Sequence, residues 1–147
     1  MDRCAHPHCL ERLAVPPGMA HPRFMKPVNL TEVFAQITTH WDPHIVGELN
    51  GQYVKCVKLK GEFVWHKHDA EDELFLVHRG TLHMRLRNGV VLIGPGQFYV
   101  LPKGIEHQPY APDEVEVVLF EPASTLNTGN VRNELTKDVL KRVARDS

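Results

Sequence analysis

Two histidines and a group of acidic residues stand together in HKHDAEDELFLV, which starts at residue 66. If this stretch is extended, the side chains of His66 and His68 lie on the same face of the strand, where two imidazoles can bind one cation. Glu73 follows after a short turn, and its carboxylate can return to the same point. The alternative is that these residues form a charged turn surrounded by solvent.

A further histidine, His107, follows the tight turn PKG much later in the chain. With it, two segments resemble the two sequence motifs of the cupin superfamily. The positions that match these motifs at the family spacing are His66, His68, Glu73 and Gly80 in the first segment and Gly96, Pro102, Gly104 and His107 in the second.

The resemblance covers about residues 45–122 and implies a small metal-binding barrel. In this family three imidazoles and one carboxylate hold a divalent metal, which implies His66, His68, Glu73 and His107 as the ligands. Fe, Mn, Co, Ni, Cu and Zn all suit such groups, and the affinity order alone does not select one of them.

Two positions depart from the family pattern. The glycine that opens the first motif is Gly61, one residue nearer to His66 than usual, and the asparagine that closes the second motif is replaced by Ala111. Neither position supplies a ligand, so we still expect a metal site. The turn that the asparagine stabilises must be held in another way.

The elements that must position these residues are short strands. Asn88-Gly89 between two of them is typical of a tight hairpin. Short strands without intervening helices predict an antiparallel sandwich or barrel, and the resemblance specifies a double-stranded β-helix, or jelly-roll barrel. The predicted strands are 53–60, 62–68, 73–78, 81–87, 90–93, 97–102, 106–111 and 114–121.

Less regular segments flank the barrel. Residues 1–27 are rich in proline and lack apolar periodicity, which predicts an irregular arm. Apolar residues at helical spacing predict a short helix at 30–38 and a closing helix at 133–144. The predicted organisation is therefore an arm, a barrel domain at 28–126, and a tail with its helix at 127–147.

Composition narrows the class of protein. The formal net charge is −1, and the chain has neither a membrane-length apolar stretch nor a signal-peptide core at its start. We expect a cytoplasmic protein with a small-molecule ligand and without nucleic-acid or membrane partners. Cys56 is expected to be a small buried hydrophobe, and CAHPHC, residues 4–9, lacks the second cluster that a zinc knuckle needs.

Two kinds of function stay open. The first is a small metalloenzyme of isomerase, epimerase or dioxygenase type that acts on a carbonyl-bearing or carbohydrate-derived molecule. The second is a non-catalytic module that binds a small molecule or sugar and uses the metal as an anchor. The segment EPASTLNTGN, residues 121–130, resembles small cupins labelled mannose-6-phosphate-isomerase-like, but turn formation explains it equally well.

No catalytic residue can be assigned from the sequence. A base that faces the metal would favour an enzyme, yet none of the interior polar candidates is a carboxylate or a free histidine. These candidates, taken from strand alternation, are Gln52, Tyr53, Gln97, Tyr99 and Tyr110.

Strand alternation places Phe63 and Trp65 on the face away from the metal. The helix at 30–38 is expected to cover part of this face. Because two large aromatic side chains need more cover than that, we predict a homodimer in which Trp65 is partly or wholly buried by a sheet or by the partner chain.

Overall fold

The computed structural model describes residues 26–143. The CAHPHC stretch lies outside them, so the irregular arm stays a prediction, as does the cytoplasmic location. No helix within 26–143 is long and apolar enough to cross a membrane. The elements in chain order are α1 Leu30–Gln36, β1 His44–Leu49, β2 Gln52–Glu62, β3 Glu73–Arg79, β4 Leu82–Leu86, β5 Gly89–Ile93, β6 Phe98–Leu101, β7 His107–Pro122 and β8 Lys141–Arg142.

Strand β7 joins the two sides of the barrel. One of its edges pairs antiparallel with β2, and its other edge pairs first with β4, through residues 107–110, and then with β3, through residues 116–120. Strands β5, β6 and β1 continue the sheet from β4, β3 and β2. The predicted antiparallel jelly-roll barrel is confirmed.

Alternation along β2 and β7 builds the interior. Val57 and Leu59 of β2 and Val117 and Leu119 of β7 belong to one buried apolar cluster inside the barrel. Successive side chains of a strand point to opposite faces, so the residues between them face outward. Cys56, which precedes Val57, shares this outward face and is fully buried there, as predicted.

Helix α1 covers the outer face of β2 and β7. Asn29 caps the helix, because its side chain accepts a hydrogen bond from the backbone N–H of Glu32. Val33 and Phe34 of the helix pack in one cluster with Cys56. Burial raises the pKa of the Cys56 thiol to about 12, so this cysteine stays protonated and unreactive. The helix predicted at 30–38 is therefore present, but it does not cover the face for which it was expected.

The strands predicted separately at 106–111 and 114–121 form one strand, β7. Between Leu59 and Gly61 of β2 the register shifts, so residues 112–114 of β7 lie opposite a single residue of β2. The Pro-Asp pair in this segment, expected to turn the chain, instead forms a bulge within a continuous strand.

The helix predicted at 133–144 is wrong for the part of it that the structure describes. The side-chain amide of Asn127 donates to the carbonyl of Leu135 and accepts from the N–H of Lys137. These bonds occupy backbone groups that a helix would pair internally. The tail ends instead in β8, which pairs parallel with β1.

Candidate metal centre

The four predicted ligands meet inside the barrel. Each residue is at least 95 % buried, and one potential ligand atom from each lies within 4.8 Å of the others. Glu73 opens β3 and His107 opens β7. His66 and His107 form an isolated β-bridge, in which the N–H of each donates to the carbonyl of the other over 3.0 and 2.9 Å. The fold therefore brings together all four predicted ligand residues, His66, His68, Glu73 and His107.

The segment before His66 is not the regular strand predicted at 62–68. Strand β2 ends at Glu62, after the register shift at Gly61, where φ is +83°. The alternation of faces is lost there. Phe63, predicted to point away from the metal, is buried with its ring centroid 5.2 Å from that of His66.

Backbone carbonyls fix the orientation of two of the imidazoles. The Nδ1 of His66 lies 3.0 Å from the carbonyl oxygen of Val64, and the Nδ1 of His107 lies 2.9 Å from that of Ile105. Because a carbonyl oxygen only accepts, each Nδ1 carries the proton and each Nε2 keeps its lone pair for a metal.

The cluster contains buried polar atoms that lack partners within the described residues. These atoms are Nε2 of His68, Oε2 of Glu73 and Nε2 of His107. The two nitrogens lie 3.0 and 3.4 Å from the carboxylate oxygen, but without hydrogen-bond geometry. A buried polar atom without a partner costs roughly 1–3 kcal/mol. A cation bound by these atoms removes that cost, so three imidazoles and one carboxylate fit a divalent transition metal.

The protonation states of the cluster also favour metal binding. Burial and the neighbouring His107 lower the pKa of His66 to about 4, so this imidazole is neutral at physiological pH. A neutral imidazole is the form that binds a metal. Burial opposes ionisation of Glu73, but the adjacent imidazoles of His107 and His68 hold its pKa well below the usual range.

A buried ion pair lies beside the cluster. The Nζ of Lys55 donates to Oε1 of Glu121 over 2.6 Å, and both side chains are 1 % exposed. Glu121 lines the same pocket as His66 and Glu73. Burial and the nearby carboxylate of Glu73 raise the pKa of Glu121 well above its usual range, and Lys55 opposes this shift.

Glu121 was not among the residues predicted from the sequence, although strand alternation contains the signal. Val117 and Leu119 face the interior, and Glu121 is the next residue of that series; Lys55 stands in the same relation to Val57. The interior candidates that were predicted instead do not line this pocket: Gln52, Tyr53, Gln97, Tyr99 and Tyr110.

The segment after β7 holds the backbone between two of the ligands. The N–H of Lys67 donates to the side-chain oxygen of Asn130, and the N–H of Asn130 donates to the carbonyl of Lys67. Gly129 lies so close that an added Cβ would stand 2.2 Å from the Lys67 oxygen and 3.2 Å from the His66 ring. The turn predicted for this segment therefore matters for the site, because its contacts with Lys67 fix the loop that carries His66 and His68.

Comparisons with known proteins agree with this geometry. The family model described as a cupin domain matches residues 54–121. A solved cupin-2 domain containing protein from Shewanella frigidimarina NCIMB 400 is 40 % identical; the match covers 65 % of this chain and 93 % of that chain, with a TM-score of 0.64.

Two further relatives are more distant. Protein NMB1881 from Neisseria meningitidis is 28 % identical over 67 % of this chain and 100 % of that chain, with a TM-score of 0.61. The uncharacterized protein YdbB of Bacillus subtilis (strain 168) is 26 % identical over 81 residues, which are 54 % of this chain and 72 % of YdbB. Together with the barrel and the two matched motifs, the relative at 40 % identity shows that this chain belongs to the cupin superfamily.

Proposed function

We propose that this cupin is a metal-dependent enzyme that acts on a carbonyl-bearing small molecule by isomerase or dioxygenase chemistry. The observation that carries the proposal is the convergence of four buried ligand atoms within 4.8 Å, beside an apolar pocket that His66 and Glu73 line. A divalent metal supplies a Lewis acid or a site for dioxygen. The residues that would hold the metal are His66, His68, Glu73 and His107.

Glu121 favours an enzyme over a binding module. It places in the pocket a carboxylate that is not one of the four proposed ligands. Lys55 holds one of its oxygens, and the other, Oε2, has no hydrogen-bond partner among the described residues. That oxygen is buried, so Glu121 places an acidic group beside the proposed metal site rather than an exposed contact for a ligand.

The alternative proposal is a non-catalytic module that uses the metal as an anchor for a small molecule or sugar. The double variant Lys55→Met/Glu121→Gln separates the two, because it removes both charges of the buried pair without leaving one alone. If the protein is an enzyme, the variant should keep its metal but lose turnover, since Glu121 lines the pocket and is not one of the four proposed ligands. Equal behaviour of the two proteins, with no turnover in either, would support the binding module.

The metal should depend on the histidines. Wild-type protein purified without added metal should contain one divalent ion per chain, and His66→Ala/His107→Ala should lower the metal affinity by at least about 100-fold, more than the loss of an outer hydrogen-bond partner. Elemental analysis and chelator competition measure this. His78→Ala/His83→Ala, which changes two histidines outside the cluster, is the matched control. Full occupancy in the first variant, with the fold retained, would contradict the proposed site.

We also propose a homodimer, through a different surface from the one expected. Trp65 is half-buried within its own chain, where the guanidinium of Arg87 lies 3.9 Å from its ring centroid. Large exposed apolar residues occur instead on β5 and β6, including Leu92 at 60 % and Phe98 at 64 % exposure. A second copy that pairs with these strands would cover the patch. Light scattering should give twice the chain mass for wild type and the monomer mass for Leu92→Lys/Phe98→Lys; a wild-type monomer would refute the dimer.

A further inference from the structure

The pocket beside the proposed metal site has an apolar wall. Eight of its twelve lining residues are apolar or aromatic. The rings of Trp41 and Phe63 stack with centroids 4.8 Å apart, and the indole N–H of Trp41 donates to the backbone oxygen of Lys60. The wall therefore offers apolar contact but no free indole donor.

The polar groups of the wall are already engaged. Besides two of the proposed metal ligands, the polar lining residues are Asn127 and Glu121. The side-chain amide of Asn127 donates to the carbonyl of Leu135 and accepts from the N–H of Lys137, so both of its ends are occupied. Glu121 is bonded to Lys55 through one oxygen and is free only at the other. Apart from the proposed metal ligands, the polar side chains of the wall therefore leave one atom without a hydrogen bond, and that atom is itself buried.

The small number of free polar groups in the pocket wall favours some classes of substrate over others. A sugar brings several hydroxyl groups, and each one buried without a partner weakens binding by on the order of tenfold. A phosphate group needs a cation or several N–H donors. No lysine or arginine lines the pocket within the described residues, and Lys55, the nearest buried cation, is occupied by Glu121.

The size of the pocket is consistent with a small ligand. The cavity has a volume of about 40 Å³, which is room for about three water molecules. It lies within a wider concavity of about 440 Å³ that includes open solvent.

We infer that the pocket takes a small, largely apolar molecule that carries one or two adjacent oxygen atoms for the metal, such as an enol or a phenol, and that it rejects phosphorylated sugars. This inference rests on the metal-dependent function proposed above and specifies its substrate class, because an enol is the tautomer of a carbonyl compound and a phenol is its aromatic counterpart. The apolar part of the ligand packs against Trp41 and Phe63, and its oxygen atoms face the metal ligands.

Catechol and mannose 6-phosphate test the inference as probes of zinc-loaded protein, since zinc does not oxidise catechol. The chain has two tryptophans, so Trp65→Phe leaves Trp41 as the only indole and makes its fluorescence a reporter of the pocket. Catechol should quench this fluorescence and bind at least tenfold more tightly than mannose 6-phosphate. Zinc content is measured before and after each titration.

A matched pair of wall variants sharpens the test. Val57→Thr adds a hydroxyl to the pocket wall at nearly constant shape and should weaken catechol binding, whereas Val90→Thr makes the same change on an exposed strand and should have no effect. If zinc is retained but mannose 6-phosphate binds as tightly as catechol, or catechol does not bind, the inferred substrate class is wrong and the proposed metal site is supported. If the protein holds no zinc, the substrate class and the proposed metal site are both wrong.

Discussion

Replacing Glu121 by leucine while Lys55 is kept should destabilise the metal-free protein by about 3–5 kcal/mol. The pair is 1 % exposed on both sides, so the variant leaves an ammonium group inside the barrel without its carboxylate. An uncompensated buried charge loses its hydration and gains nothing in return. Urea unfolding in the presence of a chelator measures the change in the free energy of unfolding without a contribution from bound metal.

Two control variants separate the buried charge from other effects. Lys55→Met/Glu121→Leu removes both charges and should lie within about 1–2 kcal/mol of wild type, because apolar residues of similar volume often replace a buried pair at little cost. Asp138→Ala breaks the exposed pair with Arg132, at 2.9 Å, and should cost less than about 1 kcal/mol. A single variant at Glu121 that costs no more than Asp138→Ala would show that Lys55 finds another partner.

Gly129→Ala should destabilise the protein by roughly 2–4 kcal/mol, within the range of strongly disruptive single substitutions, and should also weaken metal binding at least tenfold. The new Cβ would stand 2.2 Å from the carbonyl oxygen of Lys67, a distance that only a backbone shift can relieve. Lys67 lies between His66 and His68, so the shift moves both imidazoles. Urea unfolding and chelator competition measure the two effects.

Gly51→Ala is the matched control. Its φ of +74° imposes the same kind of backbone strain as the +54° of Gly129, but nothing lies within 4 Å of the added Cβ. The strain alone should cost about 1–2 kcal/mol and leave the metal affinity unchanged. Equal losses in the two variants would mean that the contact with the Lys67 carbonyl is unimportant.

The proposed metal ligands could be predicted because their identity and spacing both carry information. Two histidines separated by one residue, a carboxylate after a turn and a later histidine are informative only as a set, and the structure brings His66, His68, Glu73 and His107 together. The barrel could also be predicted from the sequence, since the Asn88-Gly89 hairpin is present between β4 and β5. The types of residue and their spacing along the chain determine both the ligand cluster and the hairpin.

The errors arose where one part of the chain acts on a distant part. The face of Phe63 could not be read from alternation, because the register shift at Gly61 depends on pairing with β7. The helix predicted at 133–144 is prevented by side-chain bonds from Asn127. Glu121 was overlooked for another reason: a charged residue is rarely buried without a partner, and its partner Lys55 lies on another strand.

The β-bridge between His66 and His107 bears on how a metal would bind at the proposed site. Two reciprocal backbone hydrogen bonds hold these positions together without help from an ion. Carbonyl groups set both ring orientations as well. Much of the ordering that ion capture requires in many small metal-binding proteins is thus complete before the encounter. Metal uptake by this barrel should therefore be a fast, preorganised docking event with little conformational entropy change, and the apo and metal-bound backbones should superimpose closely.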